Sequence, residues 1–276
     1  MSVNINNNDI NKAREIIYKI AGIYLPTSKD STIKNRLDML KRKFNIQDFD
    51  NFFHQVKHGH FKQEFVNAFT TNKTDFFREG FHFDDMLDRI LPHRLKENEP
   101  IKVYCSASST GEEPYSIATT LLYAKEIYCS STPVSVLATD IDTSVLDFAK
   151  KGKYIVNTKL NPLPTWVDLK DYFDIKHKND HELFMGAKSN LKNILTFKQQ
   201  NLYDSRYPFG IKEFDIIFCR NVLIYFKVSD QEQILSQIFS HLKIGGTLYL
   251  GHSENILNLA PKVDRLGKNI FVKVMD

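Results

Sequence analysis

Cysteine is scarce: Cys105, Cys129 and Cys219 are the only three in 276 residues. They are far apart and odd in number, and two lie in apolar segments. That fits neither a disulfide framework nor a zinc spacing, so a reducing, cytoplasmic setting is expected. Long hydrophobic runs are missing as well. The most apolar stretch, FDIIFCRNVLIYF, carries Arg220 and Asn221 and is too short to span a bilayer. The opening MSVNINNNDINKAR has no apolar signal core, so neither export nor membrane insertion is expected. Overall charge of one sign is also modest, with 37 Lys and Arg against 33 Asp and Glu. It is unevenly spread: residues 1–78 hold 13 basic against 8 acidic side chains, the remainder 24 against 25. A basic module ahead of a neutral one fits an acidic macromolecular partner. Charge alone favours the blander alternative, an aid to solubility, slightly.

What is present divides in two. Residues 9–70 carry helical periodicity throughout, with Ile10, Ala13, Ile17 and Ile20 on one face. Ile33, Leu37, Leu40 and Phe44 follow a cap expected at Ser31 or Asp30, and Phe52, Phe53, Val56, Phe61, Phe65 and Phe69 complete a small helical bundle. From Ile101 short apolar strands alternate with amphipathic helices. The strands are expected at Ile101–Cys105, Val134–Thr139, Ile194–Phe197, Phe214–Cys219 and Thr247–Leu250, with a closing pair around Gly267. Such alternation predicts a doubly wound, mostly parallel sheet with helices on both faces. Residues 153–192 are too long for a crossover and are expected to form an inserted subdomain of a few short strands and a helix.

Glycine-rich phosphate loops are another absence. The segment VYCSASSTGEEPYSIA (103–118) reads as strand, turn and helix, the frame of a nucleotide site. It has one glycine, no G-x-G-x-x-G and no G-K-S/T, which disfavours a pyrophosphate cofactor. Two acids, Glu112 and Glu113, stand where a phosphate would lie. They could simply meet the helix dipole, but a cationic, phosphate-free adenosine ligand such as S-adenosylmethionine suits them better. Other residues fall at strand ends, where a doubly wound sheet binds its ligands. Asp140 can accept both ribose hydroxyls, Asp142 being the better N-cap. Asn201 and Asn221 can present amides, although singly each reads as a turn residue. Upstream, TTNKTDFFRE places Asn72, Thr74 and Arg78 beside Phe76 and Phe77, with Arg78 able to grip a carboxylate through its fork. His54, His58 and His60 resemble a metal spacing, yet no Cys or carboxylate completes a set and a polar helix end is the simpler reading. Lys41, Arg42 and Lys43 read as a solvated helix face that could touch an acidic partner.

TTNKTDFFRE, SSTGEEPYSIA, ATDIDTSVLDFAKKGKY, FDIIFCRNVLIYF and GGTLYLGHSE together resemble the chemotaxis-receptor glutamate methyltransferases, the CheR family. The resemblance covers most of residues 70–255; the helical part is similar only in character. Tyr104 stands where tryptophan is common, and Ser-Ala-Ser-Ser precedes Thr110 where many relatives have Gly or Cys. The resemblance implies an S-adenosylmethionine-dependent methyltransferase of α/β class with a seven-stranded, mostly parallel sheet. It also implies a small all-α N-terminal domain (1–78), a catalytic domain (79–276) and an inserted small β-subdomain at about 153–192. Cofactor contacts would fall on Asn72, Thr74, Arg78, Glu112 or Glu113 (Glu113 favoured), Asp140, Asn201, Leu202, Asn221 and Val222. The implied acceptor is a glutamate on the cytoplasmic helical bundle of a methyl-accepting chemoreceptor. A receptor tail could bind the insert by strand addition, and a monomer is expected.

Transfer of a methyl group to a carboxylate needs no general base, because glutamate is ionised at neutral pH. The site is therefore expected to work by alignment and exclusion of water, with no nucleophile, triad or metal. Arg94 and Tyr225, with Arg78 shared, are the candidates for orienting the acceptor. Two rivals stand beside this expectation. A nucleic-acid methyltransferase would explain the basic N-terminal part, but amino-methylating enzymes usually carry a D/N-P-P-Y/F-type loop where this chain has CRNVLIYF. A non-catalytic S-adenosylmethionine-binding signalling module would keep the contacts without turnover.

Overall fold

A computed structural model describes residues 4–276; residues 1–3, the start of the segment noted above for its lack of a signal core, lie outside the described residues. The first helix, α1 (Asn7–Ala21), begins at a reciprocal cap. Asn6 Oδ1 accepts from Asp9 N at 3.1 Å and Asp9 Oδ2 accepts from Asn6 N at 3.0 Å. It stops at Gly22, whose φ of +69° suits a residue without Cβ. Close approach reinforces that choice, since a Cβ there would lie 2.5 Å from the Tyr203 ring. Helices α2 (Asp30–Phe44), α3 (Phe49–Lys57) and α4 (Lys62–Phe69) complete the bundle. Their buried faces share a core of Ile17, Ile33, Leu37, Val56, Phe65 and Phe69, with tilted and edge-on phenylalanine pairs. The expected cap of α2 is corrected. Asp30 is already helical, continuing a 3₁₀ turn at Thr27–Lys29, and its carboxylate accepts from Arg14.

Helices α5 (Phe81–Asp85) and α6 (Leu91–Glu97), joined by a π-turn at Met86–Ile90, precede the sheet. The strands are β1 (Ile101–Ser106), β2 (Val134–Asp140), β3 (Lys153–Asn157), β4 (Phe173–Asn179), β5 (Glu182–Ala187), β6 (Leu195–Gln199), β7 (Phe214–Cys219), β8 (Leu242–Leu250), β9 (Val263–Gly267) and β10 (Ile270–Lys273). Seven of them form one sheet in the order β6-β2-β1-β7-β8-β10-β9, parallel from β6 to β8. The closing β9–β10 hairpin runs antiparallel, as the Gly267 turn predicts. Apolar residues on both faces of β1 and β7 explain their burial, and α7 (Glu112–Ile127), α8 (Thr143–Lys151) and α10 (Val228–Ser240) cover the sheet. The inserted region forms a separate antiparallel sheet, β3-β5-β4, followed by α9 (Ser189–Ile194).

Strand order reverses between β1 and β7, so their carboxyl ends diverge and leave a crevice. The helical bundle sits over that crevice. Asn201 Nδ2 donates to Ile20 O (2.8 Å), Tyr24 N to Tyr225 O (2.8 Å), Gln63 Nε2 to Ile141 O (2.9 Å) and Tyr18 OH to Asp230 (2.9 Å). Among the described residues no helix is long and apolar enough to cross a membrane.

Candidate active site

The crevice encloses a cavity of about 640 Å³, a size ordinary for cofactor sites. Its floor comes from the strand ends: Ala107 and Ser109 after β1, Asp140 at the end of β2, Asn201 and Leu202 after β6, and Arg220, Asn221 and Val222 after β7. Its roof comes from the bundle: Ile23, Tyr24, Leu25, Arg36 and Phe69. The wall between is the segment carrying Asn72, Thr74 and Arg78.

A loop with a single glycine makes this turn by placing Ala107, Ser109 and Gly111 at φ of 49°, 49° and 99°. For the two non-glycine residues that is a strained conformation, held only where surroundings enforce it. Asp140 is the enforcing group: its Oδ2 accepts from Ser109 N at 2.8 Å and its Oδ1 from Asp142 N at 2.9 Å. Each oxygen thereby keeps lone pairs toward the cavity. Burial pushes this carboxyl up to about 6, against the pull of those N–H groups. Asp142 is the N-cap of α8, as expected, accepting from Ser144 N at 2.9 Å, and it also takes the Asn72 amide (2.9 Å) and the Thr70 hydroxyl (2.7 Å).

The two neighbouring acids separate. Glu113 lines the cavity, held at 2.8 Å by Arg220 Nη1 and approached by the Cys105 thiol at 3.3 Å. Burial pushes Glu113 up and the Arg220 charge pulls it back. Glu112 turns aside to accept from the Thr110 hydroxyl at 2.6 Å and does not line the cavity. Of the pair left open by the sequence, the geometry brings Glu113 to the site. A second corrected expectation is Arg94. It lies at the amino ends of the strands, bonded to Gly245 O (3.2 Å) and Glu97 (3.3 Å) and 3.8 Å from Asp215 beside the start of β7. That is the opposite end of the sheet from the cavity, out of reach of any acceptor there. Tyr225, in the 3₁₀ turn Leu223–Tyr225, lines the cavity as Arg78 does.

The amides of Asn201 and Asn221 are partly spent on local joints. Asn201 binds Ile20 O and accepts from Tyr203 N (3.0 Å), while Asn221, at φ 56°, donates to Glu79 Oε1 at 3.3 Å. Three functional neighbours were not singled out from sequence. Arg220 is a fully buried cation at the end of an apolar strand, a signal in itself. Glu79 faces it and is held down to about 2. Burial would raise it, but the His252 contact, the Arg220 charge and the Asn221 amide outweigh that. Glu254 accepts from Asn221 N, Val222 N, Leu223 N and Gly251 N at 2.7–2.9 Å and so shapes the turn after β7. The His54 and His58 rings lie tilted with centroids 4.1 Å apart at the end of α3, and no group of three or more His, Cys, Asp or Glu among the described residues could hold a metal ion.

The residues fit an adenosine-bearing sulfonium cofactor. Asp140 keeps acceptor capacity for a diol, Leu202, Ile141 and Phe226 supply apolar surface, and Glu113 and Arg78 offer opposite charges for an amino-acid tail. Fold and site together define an S-adenosylmethionine-dependent methyltransferase of the doubly wound α/β class. Residues 72–271 match the family model for the CheR methyltransferase SAM-binding domain, and residues 8–70 match that for the CheR methyltransferase all-alpha domain. The chain is 35% identical over 264 residues to chemotaxis protein methyltransferase 2 of Pseudomonas aeruginosa, covering 95% of this chain and 92% of that one. It is 36% identical over 265 residues to the chemotaxis protein methyltransferase of Escherichia coli, covering 95% and 89%, and 34% identical over 265 residues to that of Borreliella burgdorferi, covering 93% and 91%. The chain belongs to the CheR methyltransferase family.

Proposed function

We propose that this enzyme transfers the methyl group of S-adenosylmethionine to glutamate side chains on the cytoplasmic helical bundle of chemoreceptors, giving methyl esters and S-adenosylhomocysteine. The observation that carries this reading is a cavity in which Arg78 and Tyr225 stand beside a cofactor-sized crevice roofed by a basic helical domain. The names of the relatives place them in chemotaxis, and the surplus of basic residues in 1–78 suits an acidic protein surface. Residues 1–78 would present the receptor and residues 79–276 perform the transfer in a cytoplasmic monomer. The insert at about 153–192 would offer a sheet edge to a receptor tail.

Bound S-adenosylmethionine supplies a methyl group on a sulfonium, ready for displacement by a nucleophile. The protein's part is alignment. Asp140 takes the ribose hydroxyls, and Glu113 and Arg78 hold the ammonium and carboxylate of the amino-acid tail. Asn72, Thr74, Asn201, Leu202, Asn221 and Val222 line the remaining surface. Tyr225 and the outer face of Arg78 orient the incoming carboxylate, which is already ionised and requires no base. The roof of Tyr24, Leu25 and Phe69 excludes water, strengthening each of these interactions.

Incubation with methyl-labelled cofactor and receptor cytoplasmic fragments, followed by mild base, tests the proposal. Release of labelled methanol is the expected result. A base-stable label would mean N- or C-methylation, and the absence of label would leave a cofactor-binding module without turnover; either overturns the assignment.

A further inference from the structure

Arg220 is a guanidinium with no solvent exposure, placed where three pieces of the site meet. Its Nη1 reaches Glu113 Oε2 at 2.8 Å on the first turn of α7. Its Nη2 donates to the main-chain carbonyl of Arg78 and lies 3.4 Å from Glu79 Oε2. The Phe83 ring packs at 5.8 Å from its central carbon, and Nε has no partner. A buried ion pair is weak support for stability, because apolar residues of similar size commonly serve as well. The geometry here has a different consequence. One planar fork joins the carboxylate that faces the cofactor to the backbone from which Arg78 projects.

We propose that Arg220 is a positioning residue for methyl transfer: it orients the Glu113 carboxylate toward the cofactor and fixes the backbone of Arg78, tying cofactor affinity to acceptor geometry. This rests on Glu113 and Arg78 facing the ligand. Charge count supports it. Two carboxylates, Glu79 and Glu113, share one buried guanidinium, so its removal leaves two like charges in a poorly solvated space. Arg78 and the Cys105 thiol also face Glu113, and His82, His252 and the Asn221 amide face Glu79. Burial already pushes Glu113 up and Arg220 is the largest influence pulling it back, with Arg78 contributing less, so loss of Arg220 favours the protonated form of Glu113.

The test compares full-length wild type with Arg220→Met, Arg220→Lys, Glu113→Gln and the double variant Arg220→Met/Glu113→Gln. Binding of S-adenosylhomocysteine is measured between roughly pH 7 and 9, and methyl transfer is resolved into kcat and KM. Arg220→Met is expected to weaken binding at least about tenfold at the lower pH, with affinity recovering as pH rises and Glu113 re-ionises. Glu113→Gln should weaken binding with no such slope, and the double variant should match it rather than add to it. Arg220→Lys keeps the charge but not the fork, so binding within about threefold of wild type should accompany a kcat at least about tenfold lower. Additive effects without a pH slope, or wild-type kcat and KM in Arg220→Lys, would overturn the coupling. Unchanged binding by Glu113→Gln would overturn instead the placement of Glu113 against the cofactor. Should Arg220→Met fail to fold, the kcat and KM of Arg220→Lys and the binding of Glu113→Gln still decide the matter.

Discussion

Asp140 does two jobs with one carboxylate, bracing the strained loop through Ser109 N and keeping lone pairs for a ligand. Its raised value, about 6 in the free site, gives a direct pH consequence. Only the ionised form can accept two ribose hydroxyls, so cofactor affinity should be full well above pH 6 and fall as pH drops through that value. Titration calorimetry with S-adenosylhomocysteine from roughly pH 5 to 8 should show this limb, and Asp140→Asn should flatten it while weakening binding by about tenfold or more. Tyr225 offers the complementary case. It stands at the cavity beside the bundle, its main-chain carbonyl bound to Tyr24 N and its ring lining the same cavity as Arg36. Tyr225→Phe should lower kcat about ten- to a hundredfold with little change in cofactor affinity, a split that separate binding and turnover measurements would reveal.

At the scale of elements, the turn after β7 is the piece most dependent on a single distant residue. Leu223 is buried, Asn221 has a positive φ, and three successive N–H groups converge on Glu254, which lies beyond β8. A carboxylate can accept from all of them; an amide cannot, because its NH2 face would meet N–H donors. Glu254→Gln should therefore cost on the order of 2–3 kcal/mol in urea unfolding. It should also weaken cofactor binding by displacing Asn221 and Val222. Retained stability and binding would mean the turn holds its shape without this anchor.

For the whole molecule, the decisive feature is that the helical bundle and the sheet share one cavity. The roof residues Tyr24, Leu25 and Arg36 lie on the bundle side, and the joint passes through Asn201, Gln63 and Tyr18. The exposed end of α2, with Arg42 and Lys43 pointing to solvent beside Lys41, lies outside that cavity. Replacing Lys41, Arg42 and Lys43 by glutamine should leave cofactor affinity within about twofold, since screened surface charges act weakly on a distant site. Methylation of receptor fragments should fall and lose much of its salt dependence. If it does not change, receptor docking does not use this patch.

The sequence by itself determined the bundle, the alternating strands, the closing hairpin and the presence of an insert. These follow from local periodicity and turn chemistry, which a chain carries in its own order. It also determined the chemical character of the loop after β1, because a lone glycine beside acids disfavours a pyrophosphate cradle. Only the tertiary structure decided which glutamate turns inward, since Glu112 and Glu113 differ by a helix rotation that neighbouring side chains settle. It alone removed Arg94 to the far end of the sheet and brought Arg220, Glu79 and Glu254 into the site. Those residues are separated by up to 175 positions along the chain. Buried charge takes its meaning from the partners that fold against it, and no spacing along the chain records them.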